Sequence, residues 1–345
     1  MKVAFLPVYP NPYQRLLRDG LRPHGVDVEF LAGLPDAEWL HARRNDVDIL
    51  HFHWLDGLYM ARWKTPLQAS RFIARVRLAR RLGYRLVWTA HNILPHRRAF
   101  RPLDVAIRRL MMRDATAVIV HCEAGRRELV KRFPRRSPVE IIPLGNYKGV
   151  YPMTMFRETA RASFGLDETQ FVYLALGNIA AYKGLERLVE AFGHSAKETD
   201  VLLIAGRNRD PALVKRLASA AADDPRLRLH AGFVPDDEMQ RYLLAADVIV
   251  APFDRVLTSS SVMVGLSCGL PVIAPNLGCL PELLGGEAGL IYQVGDTDGL
   301  ARALVEIKGR DRQAMGAAAA LIAESLDWET IGQQTAAVYE ECLRS

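Results

Sequence analysis

The chain lacks the features that mark several large classes of protein. Its four cysteines, Cys122, Cys268, Cys279 and Cys342, are scattered over 345 residues and no two form a C-x-x-C pair. The spacing therefore suggests neither a zinc site nor a disulfide framework. No apolar run approaches the roughly 20 residues of a membrane-spanning helix. Met1 to Val8 is apolar but too short for a signal peptide, and acidic Asp19 follows without a cleavage pattern. A cytoplasmic location is the resulting expectation. There is no low-complexity segment.

Carboxylates are scarce in one stretch. Residues 62–136 hold 20 Lys and Arg against 4 Asp and Glu, a net of +16, so the remainder carries −10 of the overall +6. Such a field draws nucleic acid, an anionic membrane surface or an anionic substrate. No nucleic-acid recognition motif accompanies the arginines, so nucleic acid is not expected as a partner. Arg71, Arg75, Arg80, Arg81, Arg108, Arg109 and Arg113 fall on expected helices. They present either a membrane-facing surface or a solvated helix face.

What is present is ordinary globular composition, 50% hydrophobic and 24% charged, at a length comfortable for two domains. Strands are expected at 2–8, 27–31, 48–52, 85–89, 117–120 and 139–142, and helices at 13–24, 68–82, 103–112 and 123–133. Pro143 to Pro152, with two glycines, reads as a linker. A second series then places strands at 171–175, 201–205, 227–230, 248–251, 272–274 and 289–292. Helices are expected at 185–192, 211–221 and 236–245, and three helical patterns close the chain, the last over 328–343. Strands alternating with helices imply right-handed crossovers and parallel sheets covered on both faces. The expected architecture is α/β, with two doubly wound, Rossmann-like domains facing a central cleft. Residues 1–148 form the first domain and 149–325 the second, and the helix in 326–345 packs back on the first.

In open α/β sheets ligands bind beyond the carboxyl ends of the strands. In the first half those positions hold Tyr9 and Tyr13, then His53, Trp54 and Asp56, then His91 and Asn92, then His121 and Glu123. Imidazoles and aromatics suit a polar, ring-shaped partner. In the second half they hold Gly177 and Asn178 leading to Lys183, then Arg207, then Gly232, Phe233 and Val234, then Thr258, Ser259, Ser260 and Ser261. Glycines, cations and hydroxyls suit an anion. Free N–H groups at a helix start, the helix dipole and hydroxyls together make an anion site.

Each of these has a plainer reading. One serine of the four-hydroxyl run serves as a helix N-cap. Lys183 reads also as a solvated lysine, and Arg209 stands beside Arg207 as its substitute. His51 reads as a buried, satisfied histidine, and His91 reads equally as that or as a site residue. Asp46-Val47-Asp48 spells D-x-D, yet it precedes its strand, at the wrong end of the sheet for a ligand. It is read as a solvated turn, and no metal is expected.

In this order the segments resemble the GT-B glycosyltransferases, above all the family-4 group that uses nucleotide sugars. Ile142-Pro143-Leu144-Gly145-Asn146 resembles the family's interdomain segment, and Leu176-Gly177-Asn178 through Lys183-Gly184-Leu185 its strand-to-helix turn. Gly232-Phe233-Val234-Pro235-Asp236, Ala246-Asp247-Val248, Cys268-Gly269-Leu270-Pro271 and Gly278-Cys279-Leu280-Pro281-Glu282 complete the likeness. The resemblance implies transfer of a sugar from a nucleoside diphosphate to a hydroxyl of a glycan or lipid-linked acceptor, with no metal and no cofactor beyond the nucleotide sugar. Lys183 and Arg207 would hold the diphosphate. Gly232, Phe233 and Val234 would meet the base, and Thr258 to Ser261 with Glu282 would complete the donor site. His91 would face the sugar, with His53 and Asp56 as further catalytic candidates. Tyr9, Tyr13, Trp54 and Asn92 would meet the acceptor.

The chain departs from the family at four places. Pro7 to Tyr13 replaces a glycine-rich loop, and Asn178 stands where an arginine is usual. The paired glutamates of most members are Val256 and Val264 here. The Thr-Ser-Ser-Ser run between them resembles the β-mannosyltransferases of glycolipid and exopolysaccharide assembly, which implies GDP-mannose as donor. An anionic membrane as the seat of the acceptor fits the arginine-rich stretch, and the protein would then be peripheral to it. Two other classes fit the missing glutamates: a non-catalytic nucleotide-sugar or glycan binding protein on the same scaffold, and a nucleotide-sugar epimerase.

Overall fold

A computed structural model describes residues 1–60, 65–95, 100–135 and 137–344. Arg62, Lys64, Arg97, Arg98 and Arg136 of the basic stretch lie outside the described residues. The chain divides into two compact units, Met1–Gly145 with Leu326–Ser345, and Asn146–Ser325.

The first unit holds β1 (Lys2–Leu6), α1 (Pro12–Leu21), β2 (Asp27–Phe30), α2 (Ala37–Ala42), β3 (Ile49–Phe52), α3 (Asp56–Tyr59), α4 (Thr65–Arg81) and β4 (Arg85–Thr89). It continues with α5 (Arg101–Asp114), β5 (Ala117–Val120), α6 (Glu123–Arg132) and β6 (Val139–Ile141). The second unit runs through α7 (Arg157–Ala162), β7 (Phe171–Leu176), α8 (Leu185–Ser195), β8 (Asp200–Ala205), α9 (Pro211–Asp223), β9 (Leu227–His230), α10 (Met239–Ala245) and β10 (Val248–Val250). Then come α11 (Ser260–Ser267), β11 (Val272–Pro275), α12 (Leu280–Leu284), β12 (Gly289–Tyr292), α13 (Gly299–Glu306) and α14 (Arg312–Ser325). The closing helix, α15 (Trp328–Arg344), belongs to the first unit.

Each unit is built on one six-stranded sheet, and every recorded strand pairing is parallel. Central strands are buried along their whole length, as β3, β5, β8 and β10 are, because helices cover both faces. The first sheet has the order β2-β1-β3-β4-β5-β6 and the second β12-β11-β10-β7-β8-β9. The order reverses between β1 and β3 in one and between β7 and β10 in the other. These are the switch points at which open α/β sheets hold ligands.

Local chemistry sets the helix starts. Asn11 caps α1 on the Tyr13 amide with Pro12 at the first position, Asp36 caps α2, and Asp210 caps α9. The expected helix over 13–24 ends at Leu21, and Arg22–His24 tightens into a 3-10 turn. The one expected from 236 begins only at Met239, since Glu238 and Met239 turn back onto the Pro235 carbonyl. Short α2, α3, α7 and α12 escaped the sequence reading, because one or two turns show no periodicity.

Contact between α1 and α15 is close enough to exclude side chains. A Cβ on Gly20 would lie 2.0 Å from the Trp328 carbonyl oxygen, and one on Gly332 would lie 2.0 Å from that of Gly20. The second unit is tied together at Asp247, the residue before β10. Its carboxylate accepts from Arg157 (2.7 Å), Arg161 (2.8 Å) and Arg312 (2.6 Å), and from the Val172 amide (2.8 Å). The Ala246-Asp247-Val248 segment therefore ties α7 and α14 to the sheet, at the end away from the switch point.

Candidate functional site

In the second unit, Lys183 and Ser261 meet at the switch between β7 and β10. The ammonium lies 3.2 Å from the Ser261 hydroxyl and 4.5 Å from the Phe253 ring centre. Burial lowers the Lys183 pKa to about 8, since the charged form has lost its water. Gly177 makes the space. Its φ of 116° suits glycine, and a Cβ there would come within 2.8 Å of the Ser261 hydroxyl and 3.2 Å of the ammonium.

The structure separates the hydroxyl run into different tasks. Ser259 is buried and caps α11 on the Val262 amide (3.3 Å). Ser260 accepts from the Tyr147 hydroxyl (3.0 Å). Ser261 is the one that reaches Lys183, while Thr258 is half-buried in the approach to the helix. The loop is held in place by the Cys279 amide, which donates to the Leu257 carbonyl (2.8 Å). Val264 lies buried inside α11 and Val256 is half-buried.

Arg207 follows β8 and lays its guanidinium 4.9 Å over the Phe233 ring. Phe233 is 61% exposed, whereas Val234 beside it is buried and Gly232 half-buried. Asn178 accepts from Arg209 rather than carrying charge itself. Glu282 is exposed in the first turn of α12.

In the first unit, four histidines stand on three neighbouring strand ends. His51 lies within β3 and His53 follows it, His91 follows β4, and His121 follows β5. All four are buried. His51 bonds the Tyr339 hydroxyl (2.5 Å) and the Thr89 hydroxyl (2.8 Å), so it is satisfied on both sides. The other three form a chain. His53 Nδ1 lies 3.3 Å from His91 Nε2, His91 Nδ1 lies 3.2 Å from His121 Nε2, and His121 Nδ1 lies 2.8 Å from the Ile142 carbonyl oxygen. Desolvation holds all four below the ordinary imidazole range, His121 at about 4 and His51 at about 3.

Aromatic rings wall this chain. Trp54 stacks on His91 (4.3 Å between centres, 13° between planes), and Tyr13 meets His53, His91 and His121 edge-on. Tyr9 is exposed and leans on Trp54 (4.9 Å). Asn92 is half-buried. Asp56 opens α3, and its charge adds to the burial that chiefly raises the pKa of the Asp104 carboxyl. The sequence reading did not single out Trp328 and Tyr339 of α15, which reach Tyr13 and His51. Nothing in a helical pattern at the far end of the chain, 288 residues beyond His51 at Tyr339, points to them. His121 was visible at its strand end, but its link to His91 was not.

Asp46 and Asp48 are structural. Asp46 pairs with Lys2 and Arg43, and Asp48 accepts from the Lys2 amide. Among the described residues no group of three His, Cys, Asp or Glu is placed to hold a metal ion.

Two parallel, doubly wound units, each built on a six-stranded sheet, make up the GT-B fold of glycosyltransferases. Residues 7–145 match the family model described as glycosyltransferase family 4, and residues 170–308 match that described as glycosyl transferases group 1. The protein belongs with these family-4-like glycosyltransferases. Over 96% of its length it is 26% identical to the GDP-mannose:glycolipid 4-beta-D-mannosyltransferase of Xanthomonas campestris, covering 89% of that chain. It is 28% identical to the D-inositol 3-phosphate glycosyltransferase of Streptomyces scabiei, over 95% of this chain and 75% of that one. Anabaena HepE, solved with UDP and glucose, shares the fold with a TM-score of 0.78 at 19% identity, covering 99% of this chain and all of the other.

Proposed function

We propose that the protein moves a hexose, with mannose from GDP-mannose as the first choice, to a hydroxyl of a glycan or lipid-linked acceptor. The observation that carries this reading is Lys183 beside Ser261 at the β7/β10 switch. A buried ammonium with no carboxylate hydrogen-bonded to it among the described residues suits a diphosphate, whose charge would replace the water lost on folding. The choice of mannose rests on the relative from Xanthomonas and on the serine run that stands between Val256 and Val264.

The transition state of such a transfer is oxocarbenium-like, as in glycoside hydrolysis. Charge grows on the departing diphosphate, and in this reading Lys183 and Arg207 neutralise it without a metal or cofactor. Phe233 and Val234 meet the base. An inverting outcome needs a proton acceptor on the acceptor side, and the first unit offers the histidine chain there. Tyr9, Tyr13, Trp54 and Asn92 supply rings and an amide suited to a sugar face.

The test is a donor panel of GDP-mannose, UDP-glucose and related nucleotide sugars, with product analysis against lipid-linked acceptors. A new glycosidic product from one donor is expected. Donor binding without transfer to any acceptor indicates a binding protein. Isomerisation of the donor sugar indicates an epimerase.

A further inference from the structure

The histidine chain has a direction, and the Ile142 carbonyl sets it. A carbonyl oxygen only accepts, so the 2.8 Å contact places a proton on His121 Nδ1. Burial disfavours the charged form of His121, so its Nε2 holds a lone pair. His91 must then donate from Nδ1 across 3.2 Å, which leaves its own Nε2 as an acceptor. By the same step His53 donates from Nδ1 across 3.3 Å. His53 Nε2 is the remaining atom, and it is buried with no hydrogen-bond partner among the described residues.

We infer that His53, His91 and His121 form a one-way relay, all three protonated on Nδ1, with His53 Nε2 as the single atom at which the relay takes up a proton. Every other ring nitrogen in it already gives or receives a hydrogen. A proton arriving at His53 Nε2 lets the Nδ1 proton pass to His91 Nε2, and the His91 Nδ1 proton pass to His121 Nε2. One proton has entered and none has left. The charge then rests on His121, where the carbonyls of Ile142 and Pro143 oppose the effect of burial. His53 and His91 have no such carbonyl support.

The groups packed against the relay do not compete for this proton. His51, 4.3 Å from His53 between ring centres, is bonded at both nitrogens. Tyr13 from α1 presents ring edges, Trp54 stacks on His91, and burial raises the Tyr339 pKa well above its usual value. Glu123 at the start of α6 pairs with Arg126. The relay's polarity stands on the hydrogen-bond geometry together with the neutral state that burial favours for His121. Its use, to receive the proton of the acceptor hydroxyl, rests on the glycosyltransferase reading. His121 is then a positioning residue, since it acts only through His91 and His53.

Nitrogen-15 NMR of the full chain at pH 7 reads the tautomers directly. All three histidines are expected in the Nδ1–H form, and His121→Phe, which removes the acceptor for His91, is expected to release His91 and His53 from it. An Nε2–H signal from any of the three in the wild type overturns the relay. So does a uniform Nδ1–H form that survives in His121→Phe. In the transfer assay His53→Gln should lower kcat about 100-fold or more, with the KM for the donor unchanged. Full activity in His53→Gln overturns the proton-accepting role. A wild-type chain that binds no nucleotide sugar overturns the glycosyltransferase reading instead, and the tautomer result stands apart from it.

Discussion

The Lys183 ammonium lies 3.2 Å from the Ser261 hydroxyl, and burial has lowered its pKa to about 8. The pair joins residues 78 positions apart across the β7/β10 switch. A diphosphate arriving there raises the Lys183 pKa, because an adjacent anion favours the charged form. Below pH 8 the lysine is already charged and donor affinity should be flat with pH. Above pH 8 a proton must be taken up on binding, so the Kd for the nucleotide should climb towards tenfold per pH unit. Calorimetry at pH 7, 8 and 9 measures this, and an affinity unchanged at pH 9 counts against Lys183 as the phosphate ligand. Lys183→Ala should weaken nucleotide binding at pH 7 by about 1.5–3 kcal/mol, the range of a hydrogen bond to a charged group.

Ser259 and Ser261 should separate stability from binding. Ser259→Ala removes the cap of α11 and should cost about 1 kcal/mol of stability, with little change in donor affinity. Ser261→Ala should do the reverse, leaving the melting temperature close to wild type and weakening donor binding by about 1 kcal/mol. Thermal melts and nucleotide titrations on both variants decide it. If both variants behave alike, the hydroxyl run is not divided in this way.

Much of this division could not be read from residues alone. The strand positions and the residues at each strand end follow from apolar periodicity and the rule for open sheets, so Lys183, Arg207 and the serines were visible. Which serine caps the helix depends on where α11 starts, and four adjacent hydroxyls leave that undecided. Tyr147 reaches Ser260 from the linker, and Tyr339 reaches His51 from the last helix, across 113 and 288 residues. Only packing brings such pairs together. Arg108 shows the same limit from the other side. Its place in an arginine-rich helix suggested a surface residue. It is buried, bonding the Ile93 carbonyl (2.8 Å) and the Tyr59 hydroxyl (3.0 Å).

Exposed Arg71 and Arg81 on α4 and Arg109 on α5 remain available to an anionic surface. The chain should then associate with phosphatidylglycerol vesicles at low salt and release as ionic strength rises and screening shortens the reach of the charges. Sedimentation with vesicles across a salt series checks this. Binding that ignores salt, or binding equally to neutral vesicles, argues against an electrostatic dock.

Asp247 should be among the most sensitive positions for folding. Its carboxylate accepts from three guanidinium groups, and Arg161 among them is 1% exposed. Asp247→Asn leaves that buried charge without its counterion, at a cost of about 3–5 kcal/mol. Urea denaturation should show the loss with the slope unchanged.

The buried imidazoles give the fold an acid limit. Their folded-state pKa values lie below the unfolded value near 6.5, so the unfolded chain binds more protons as pH falls. The stability they contribute is fully present above pH 6.5 and is lost progressively as pH drops from there towards 4. His121, at about 4 in the folded state, accounts for roughly 3 kcal/mol of this when taken alone. Urea midpoints should therefore be level between pH 7 and 8 and fall steadily from pH 6.5 to 4.5. Replacing His121 with Phe, which cannot ionise, should flatten that fall by about the same amount, even though the variant starts from a lower midpoint at pH 7. A pH dependence identical in the two proteins would mean that His121 titrates normally in the folded state, and that the enclosure seen around the chain of imidazoles is open to water.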